Sequence, residues 1–159
     1  MIEITAYYNY PIGTFEIKGS ELGIHAVLYH PEHIDNTYPI PKLLEDCIQQ
    51  LDEYFRKNRT IFDLKLNPVG TDFQKRVWNQ LLEIPFGKSQ SYKQLSILLG
   101  DVKAIRAVGT ANGKNKINII IPCHRVIGSD GKMVGYGGGI DRKEWLLKHE
   151  GILNQTKLF

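Results

Sequence analysis

The sequence predicts an α+β fold, with a small N-terminal β-sheet-plus-helix domain followed by a mostly helical domain. Three observations predict it. Runs of β-branched and aromatic residues occupy most of positions 2–29. Helical periodicity and two N-terminal capping signatures occupy the chain beyond residue 70. Between them Asn67-Pro68-Val69-Gly70 is a linker, because Pro and Gly punctuate two patterned segments. The predicted domains are therefore residues 1–69 and 70–159.

Strands are expected over 2–8, 14–18 and 22–29, separated by Pro11, Gly13, Gly19 and Gly23. Pro41 opens a helix whose apolar positions, Leu43, Leu44, Cys47, Ile48, Leu51, Tyr54 and Phe55, recur on one face. Ile61 to Leu66 reads as a further short strand. After the linker, Thr71 with Gln74 forms a capping box, and Phe73, Val77, Leu81 and Ile84 follow on one face until Pro85-Phe86-Gly87. Ser91 with Gln94 is a second box, followed by Leu95, Leu98 and Leu99, with Gly100 as the stop. A third helix after Asp101 is expected to bury Ala104, Ile105, Val108 and Ala111. Two short helices joined by a tight Gly-containing turn outline a helix-turn-helix, here of the winged kind. Asp130-Gly131 signals a hairpin, and a last helix runs from about Asp141 to His149.

Composition excludes several classes. Hydrophobic residues at 42% and charged residues at 23% describe a globular chain, and two cysteines in 159 residues rule out a disulfide scaffold. The N-terminus lacks the basic and apolar regions of a signal peptide, and no apolar run could span a membrane. A reducing interior is expected: the cytoplasm, with nucleoid association in a prokaryote. The net charge of +3 hides a division. Residues 1–69 hold six Lys+Arg and ten Asp+Glu, a net of −4, whereas residues 70–159 hold fourteen and seven, a net of +7. A basic helical half suggests a polyanion contact confined to it.

In the third helix Arg106 lies about 200° around the axis from Ala104, on a face shared by Lys103, Thr110 and Lys114. Its other residues are small: Ala107, Gly109, Ala111 and Gly113. Such a helix suits either close approach to a nucleic-acid groove or a tight helix–helix contact. Cys123 follows Ile119-Ile120-Ile121-Pro122 and precedes His124-Arg125. Cationic neighbours or a base lower a thiol pKa and activate it, so this flank fits a nucleophile. Cys47, on an apolar helix face, fits a buried hydrophobe. No metal site is expected, because ligand-spaced pairs are absent and His25, His30 and His33 lack a defined spacing.

Pro122-Cys123-His124-Arg125-Val126 resembles the active-site signature of the O6-alkylguanine-DNA alkyltransferases, or methylated-DNA–protein-cysteine methyltransferases. The resemblance extends through Gly70-Thr71-x-Phe73-Gln74-x-x-Val77-Trp78, Ile84-Pro85-Phe86-Gly87, Ser91-Tyr92, Arg106-Ala107-Val108-Gly109, Gly135-Tyr136 and Trp145-Leu146-Leu147-x-x-Glu150-Gly151, in family order. It covers nearly all of residues 70–151.

The resemblance implies a stoichiometric, irreversible transfer of an alkyl group from O6 of a flipped-out guanine in duplex DNA to Cys123. By position, His124 is the general base acting through a water, Glu150 orients His124, and Tyr92 gives guanine a proton and crowds the phosphate of the turning nucleotide. Arg106 matches the finger that fills the vacated stack. Ala107 and Gly109 match the slim helix that enters the minor groove, beside Lys103 and Thr110. Asn115 ties the recognition helix to the active-site turn. Tyr136 walls the base pocket, the backbone at Cys123 and Val126 reads the guanine edge, and Gly137 and Gly138 let the wall come close. No cofactor and no metal are implied, and a monomer is the family expectation. One departure stands out: Lys116 follows Asn115 where the family usually has Pro, leaving the turn freer.

Two other classes compete. A non-catalytic relative that binds alkylated DNA lacks the cysteine, whereas this chain has Cys123 with Tyr92, Arg106, His124 and Glu150. A cysteine hydrolase would use Cys123 and His124 but leaves Arg106 and the basic C-terminal half without a purpose.

Overall fold

A computed structural model describes residues 2–128, 136 and 138–153. The chain forms two compact units, Met1–Val69 and Gly70–Phe159.

In the first unit β1 (Ile4–Tyr10), β2 (Gly13–Ser20) and β3 (Gly23–Tyr29) form an antiparallel sheet in that order. Their bounds lie within two residues of those expected. One face buries Ala6, Phe15, Ile17 and Val27. Helix α1 (Glu45–Phe55) supplies the other side of this core with Cys47, Ile48, Leu51, Tyr54 and Phe55. Phe55 stacks on Tyr10 with ring centroids 4.9 Å apart, and the Tyr10 hydroxyl donates to the Ile48 carbonyl at 2.9 Å. A 3-10 turn, Lys42–Leu44, precedes α1. Its tighter winding rotates Leu43 off the apolar face, so that Leu43 is exposed although the periodicity had it inside.

The strand expected over Ile61 to Leu66 does not form. Only Leu66 bridges to Ile24, while Gln50 on α1 takes both backbone groups of Asp63 at 2.9 and 3.0 Å. Arg59 binds the Ile61 carbonyl at 2.8 Å. Side chains thus satisfy the backbone groups that a ladder would have used. Gly23 permits the crossing: a Cβ there would lie 2.7 Å from the Lys65 carbonyl oxygen.

The second unit begins with α2 (Asp72–Leu81), followed by β4 (Gln90–Ser91), α3 (Tyr92–Leu98), α4 (Ile105–Gly113), β5 (Val126–Ile127) and α5 (Ile140–His149). Both capping boxes form, Thr71 with Gln74 on α2 and Ser91 with Gln94 on α3. Gly100, at φ +89°, ends α3 in the left-handed region. Leu95 is buried, but Leu98 is exposed; Ser96 occupies the buried position instead, its hydroxyl donating to the Tyr92 carbonyl at 2.8 Å.

Helix α4 also departs from its expected face. Val108 and Ala111 are buried, whereas Ala104 is half-buried and Ile105 exposed. The 3-10 turn Val102–Ala104, capped by Asp101, advances further per residue than the α-helix that follows, so the two stretches do not share one face. Trp78 holds α2 against α4 by donating from Nε1 to the Ala111 carbonyl at 2.9 Å. The hairpin signal Asp130-Gly131 and the wing it implies lie outside the described residues.

Candidate active site

Two consecutive tight turns deliver Cys123. Ile119 adopts φ +73° while the Ile120 amide donates to the Asn118 carbonyl at 2.8 Å, a three-residue turn of strained hand for a β-branched residue. Pro122 (φ −82°, ψ 63°) centres the next turn, closed by the Cys123 amide on the Ile121 carbonyl at 2.8 Å. Asn115 braces both. Its Oδ1 accepts from the Ile117 amide at 3.0 Å and its Nδ2 donates to the Ile121 carbonyl at 2.8 Å. Asn112, the penultimate residue of α4, donates to the Cys123 carbonyl at 3.3 Å. The parallel pairing of β4 with β5 sets Gln90 beside Val126 and so brings the start of α3, Tyr92, to the same place.

Cys123, His124, Arg125 and Glu150 are all buried. Glu150 accepts from His124 Nε2 at 2.6 Å and from Arg125 Nε and Nη2 at 2.7 and 3.2 Å. Arg125 also donates to the Ile84 carbonyl at 2.7 Å and lies over the Phe86 ring. Burial alone would raise the Glu150 pKa, but the hydrogen bonds from His124 and Arg125 and the charge of Arg125 outweigh it and hold the group at about 2. Burial pushes the His124 pKa down, more than Glu150 restores it. His124 is therefore a neutral imidazole whose Nε2 carries the proton given to Glu150. Its buried Nδ1 lone pair has no partner among the described residues.

The thiol differs from the expectation of an activated cysteine. Burial pushes the Cys123 pKa up to about 11, while Asn115 and the charge of Lys143 offset only part of the rise. The flanking cations do not help, because Arg125 is committed to Glu150 and His124 is neutral. At neutral pH Cys123 therefore rests as the thiol rather than the thiolate, next in sequence to a neutral imidazole.

Two tyrosines and a lysine complete the surroundings. Burial, then proximity to Cys123, raises the pKa of Tyr92, and raises that of Tyr136 further. Lys143 is wholly buried. It donates to the Val126 carbonyl at 2.6 Å, sits 6.0 Å from the Tyr92 ring centroid, and is pushed by burial down to a pKa of about 8. Gly138 lies so close to Tyr136 that a Cβ would come within 2.6 Å of its ring. Gly137 lies outside the described residues. Arg125, Lys143, Asn112 and Asn118 are absent from the sequence-derived set. Only Arg125 carried a signal, its place in the Cys-His-Arg run; the others are brought in by packing.

The face expected to bear charge is exposed at Lys103, Arg106, Thr110 and Lys114, and the small Ala107 is exposed as well. Thr110 returns its hydroxyl to the Arg106 carbonyl at 3.0 Å. Ala111 packs inward beneath Trp78, but the two glycines do not serve a tight internal contact. A Cβ at Gly109 would meet Tyr92 at an ordinary 3.8 Å, and one at Gly113 would meet nothing within 4 Å. Among the described residues no group of three or more His, Cys, Asp and Glu could hold a metal. His25 and His33 instead pair with Glu3 and Asp35.

Acid should loosen this site. His124 and Glu150 both titrate lower folded than their ordinary values, so the contribution of His124 is lost as pH falls below about 6.5, and that of Glu150 as pH falls from about 4.3 toward about 2. Thermal unfolding of the full chain should decline on acidification, and Glu150→Gln should flatten the lower part of that decline. Parallel profiles for the two proteins would contradict the assignment.

Residues 4–68 match the ribonuclease-like domain of 6-O-methylguanine DNA methyltransferase, and residues 72–152 match its DNA binding domain. A methylated-DNA–protein-cysteine methyltransferase of Methanosarcina barkeri is 46% identical over 152 residues, covering 88% of this chain and 92% of that protein. One from Mycobacterium bovis is 46% identical over 145 residues, covering 88% and 87%. Among solved structures, the Mycobacterium tuberculosis O6-methylguanine methyltransferase superposes with a TM-score of 0.85 at 38% identity, covering 99% of each chain. The Mycobacterium tuberculosis OGT in complex with DNA superposes at 0.81 with 41% identity, covering 91% of this chain and 90% of that one.

Proposed function

Since the chain belongs to the 6-O-methylguanine DNA methyltransferase family, we propose that it repairs duplex DNA by moving an alkyl group from O6 of guanine onto Cys123, once per molecule. The observation that carries the reading is the buried Glu150–His124 pair, whose imidazole Nδ1 has no partner among the described residues and which lies one residue from a buried thiol.

The transfer forms one S–C bond and breaks one C–O bond. The thiol proton passes through a water to His124 Nδ1, and Glu150 balances the imidazolium so formed. As the C–O electrons return to guanine, Tyr92 supplies a proton, so that no base anion is released into a buried site. The raised pKa of Tyr92 suits this order: it keeps its proton until a strong acceptor appears. His124 then returns the thiol's proton through water to the Tyr92 phenolate, so that the final balance is a thioether and a neutral guanine with His124 and Tyr92 restored. Nothing regenerates the thiol, so the stoichiometry is one.

A stacked base cannot reach a buried sulfur, so the nucleotide must leave the helix. Arg106 projects from a slim, exposed α4 and takes the vacated place in the stack, with Ala107 and Gly109 lying against the minor groove and Lys103 and Thr110 toward the backbone. Tyr136, Gly138 and the Val126 backbone form the wall for the base. The Val126 carbonyl already accepts from Lys143, which leaves one lone pair for the guanine edge.

A double-substrate experiment tests the reading. Duplex DNA with labelled O6-methylguanine should transfer one equivalent of label per chain and then stop. Arg106→Ala should slow that transfer on the order of a hundredfold, while reaction with a free O6-alkylguanine base stays within about twofold. Turnover beyond one equivalent, or equal loss on both substrates, would count against the proposal.

A further inference from the structure

The Cys123 sulfur lies between two amides that differ in freedom. Asn115 is committed at both ends: Oδ1 accepts from the Ile117 amide, and Nδ2 donates to the Ile121 and Ile117 carbonyls while also facing the thiol. Asn118 is different. Its Oδ1 accepts from Cys123 Sγ at 3.7 Å. Its main chain is held in the turn around Ile119, whose side chain is fully buried. Asn118 itself is 6% exposed, so its amide sits inside the site on an anchored backbone.

An Asn amide can present either end, because its terminal torsion is broad and two-fold. A carbonyl oxygen suits a thiol, which donates. A thiolate can only accept, and a hydrogen bond to an ionised partner is about twice as strong as a neutral one. We propose that Asn118 is a positioning residue for the thiol: its carbonyl oxygen holds the S–H in the resting protein, and its amide turns to donate to the sulfur once the proton has left. The proton goes to His124 as in the transfer above, and no bond of Asn118 forms or breaks. The turn favours the thiolate on balance, because the charge-assisted N–H bond to a thiolate is stronger than the weak S–H bond that it replaces. Lys143, Tyr92 and Tyr136 also act on this sulfur, and Glu150, Arg125 and Lys143 act on its base His124; all act alike in wild type and variants.

This inference rests on Cys123 as the acceptor, and its test uses no DNA, so the two can fail separately. Iodoacetamide modification of Cys123, followed by peptide mapping, reports the thiolate fraction in the full chain. Asn118→Ala should slow it about tenfold. Asn118→Asp should slow it further, because a carboxylate accepts but never donates and repels the thiolate. Asn118→Ser should stay near wild type, since a hydroxyl does both. The resting S–H bond has its own signature. The Raman S–H band that disappears in Cys123→Ser should move to higher frequency in Asn118→Ala, which a merely structural role would not produce. Thermal unfolding checks each fold, and Asn118→Asp, close to Asn in shape, carries the test if Asn118→Ala does not fold. An unchanged or faster reaction in the folded Ala or Asp variant, or an S–H band that stays in place, overturns the proposal.

Discussion

Cys123→Ala should eliminate methyl transfer from O6-methylguanine DNA, with label on the protein falling to background, while DNA binding persists. The only other cysteine cannot substitute. Cys47 is 1% exposed in the first unit, and burial pushes its pKa up to about 12. The loss should be complete rather than partial, because the alanine methyl group has no lone pair with which to take the alkyl carbon. The substitution removes one sulfur atom from a buried site and should cost about 1 kcal/mol or less of stability. Peptide mapping of the labelled wild type should find one equivalent on Cys123 and none on Cys47. Label elsewhere, or residual transfer by the variant, would remove Cys123 from its role.

Glu150→Ala should be the most destabilising single substitution in the site. It leaves Arg125 buried without its carboxylate, a loss of about 3–5 kcal/mol. For a chain of this length that corresponds to a fall of about 10 °C in unfolding temperature. Glu144 provides the contrast. Its pair with Lys148 at 2.9 Å is part-exposed, so Glu144→Ala should cost about 0.5 kcal/mol or less. Both ion pairs involve α5 or its cap and one glutamate, and they differ chiefly in burial. At a temperature where Glu150→Ala stays folded, transfer should also slow, because His124 loses the acceptor that fixes its tautomer. If Glu150→Ala unfolds no earlier than Glu144→Ala, the buried cluster does not carry the stability assigned to it.

Local signals in the sequence were sound where local interactions decide the outcome. Thr71–Gln74 and Ser91–Gln94 each satisfy backbone donors within three residues, so their helices start where the spacing says. Gly100 stops α3 for an equally local reason. Periodicity failed where another element intervened. Leu43 and Ile105 follow an α-helical count across a 3-10 turn, and Ile61 to Leu66 lost its strand to the Gln50 and Arg59 side chains.

Taken alone, the sequence determined the order of elements, the two regions of opposite charge, the cysteine and its family pattern. Tertiary structure decided what that cysteine is at rest. The run Cys123-His124-Arg125 reads as a thiol beside two cations, yet Glu150, reached only at the end of α5, binds both neighbours. Desolvation then outweighs the remaining charge, and the thiol keeps its proton. Lys143 and Asn118 reach the sulfur's surroundings by packing and by a positive-φ turn, through contacts that sequence spacing does not encode.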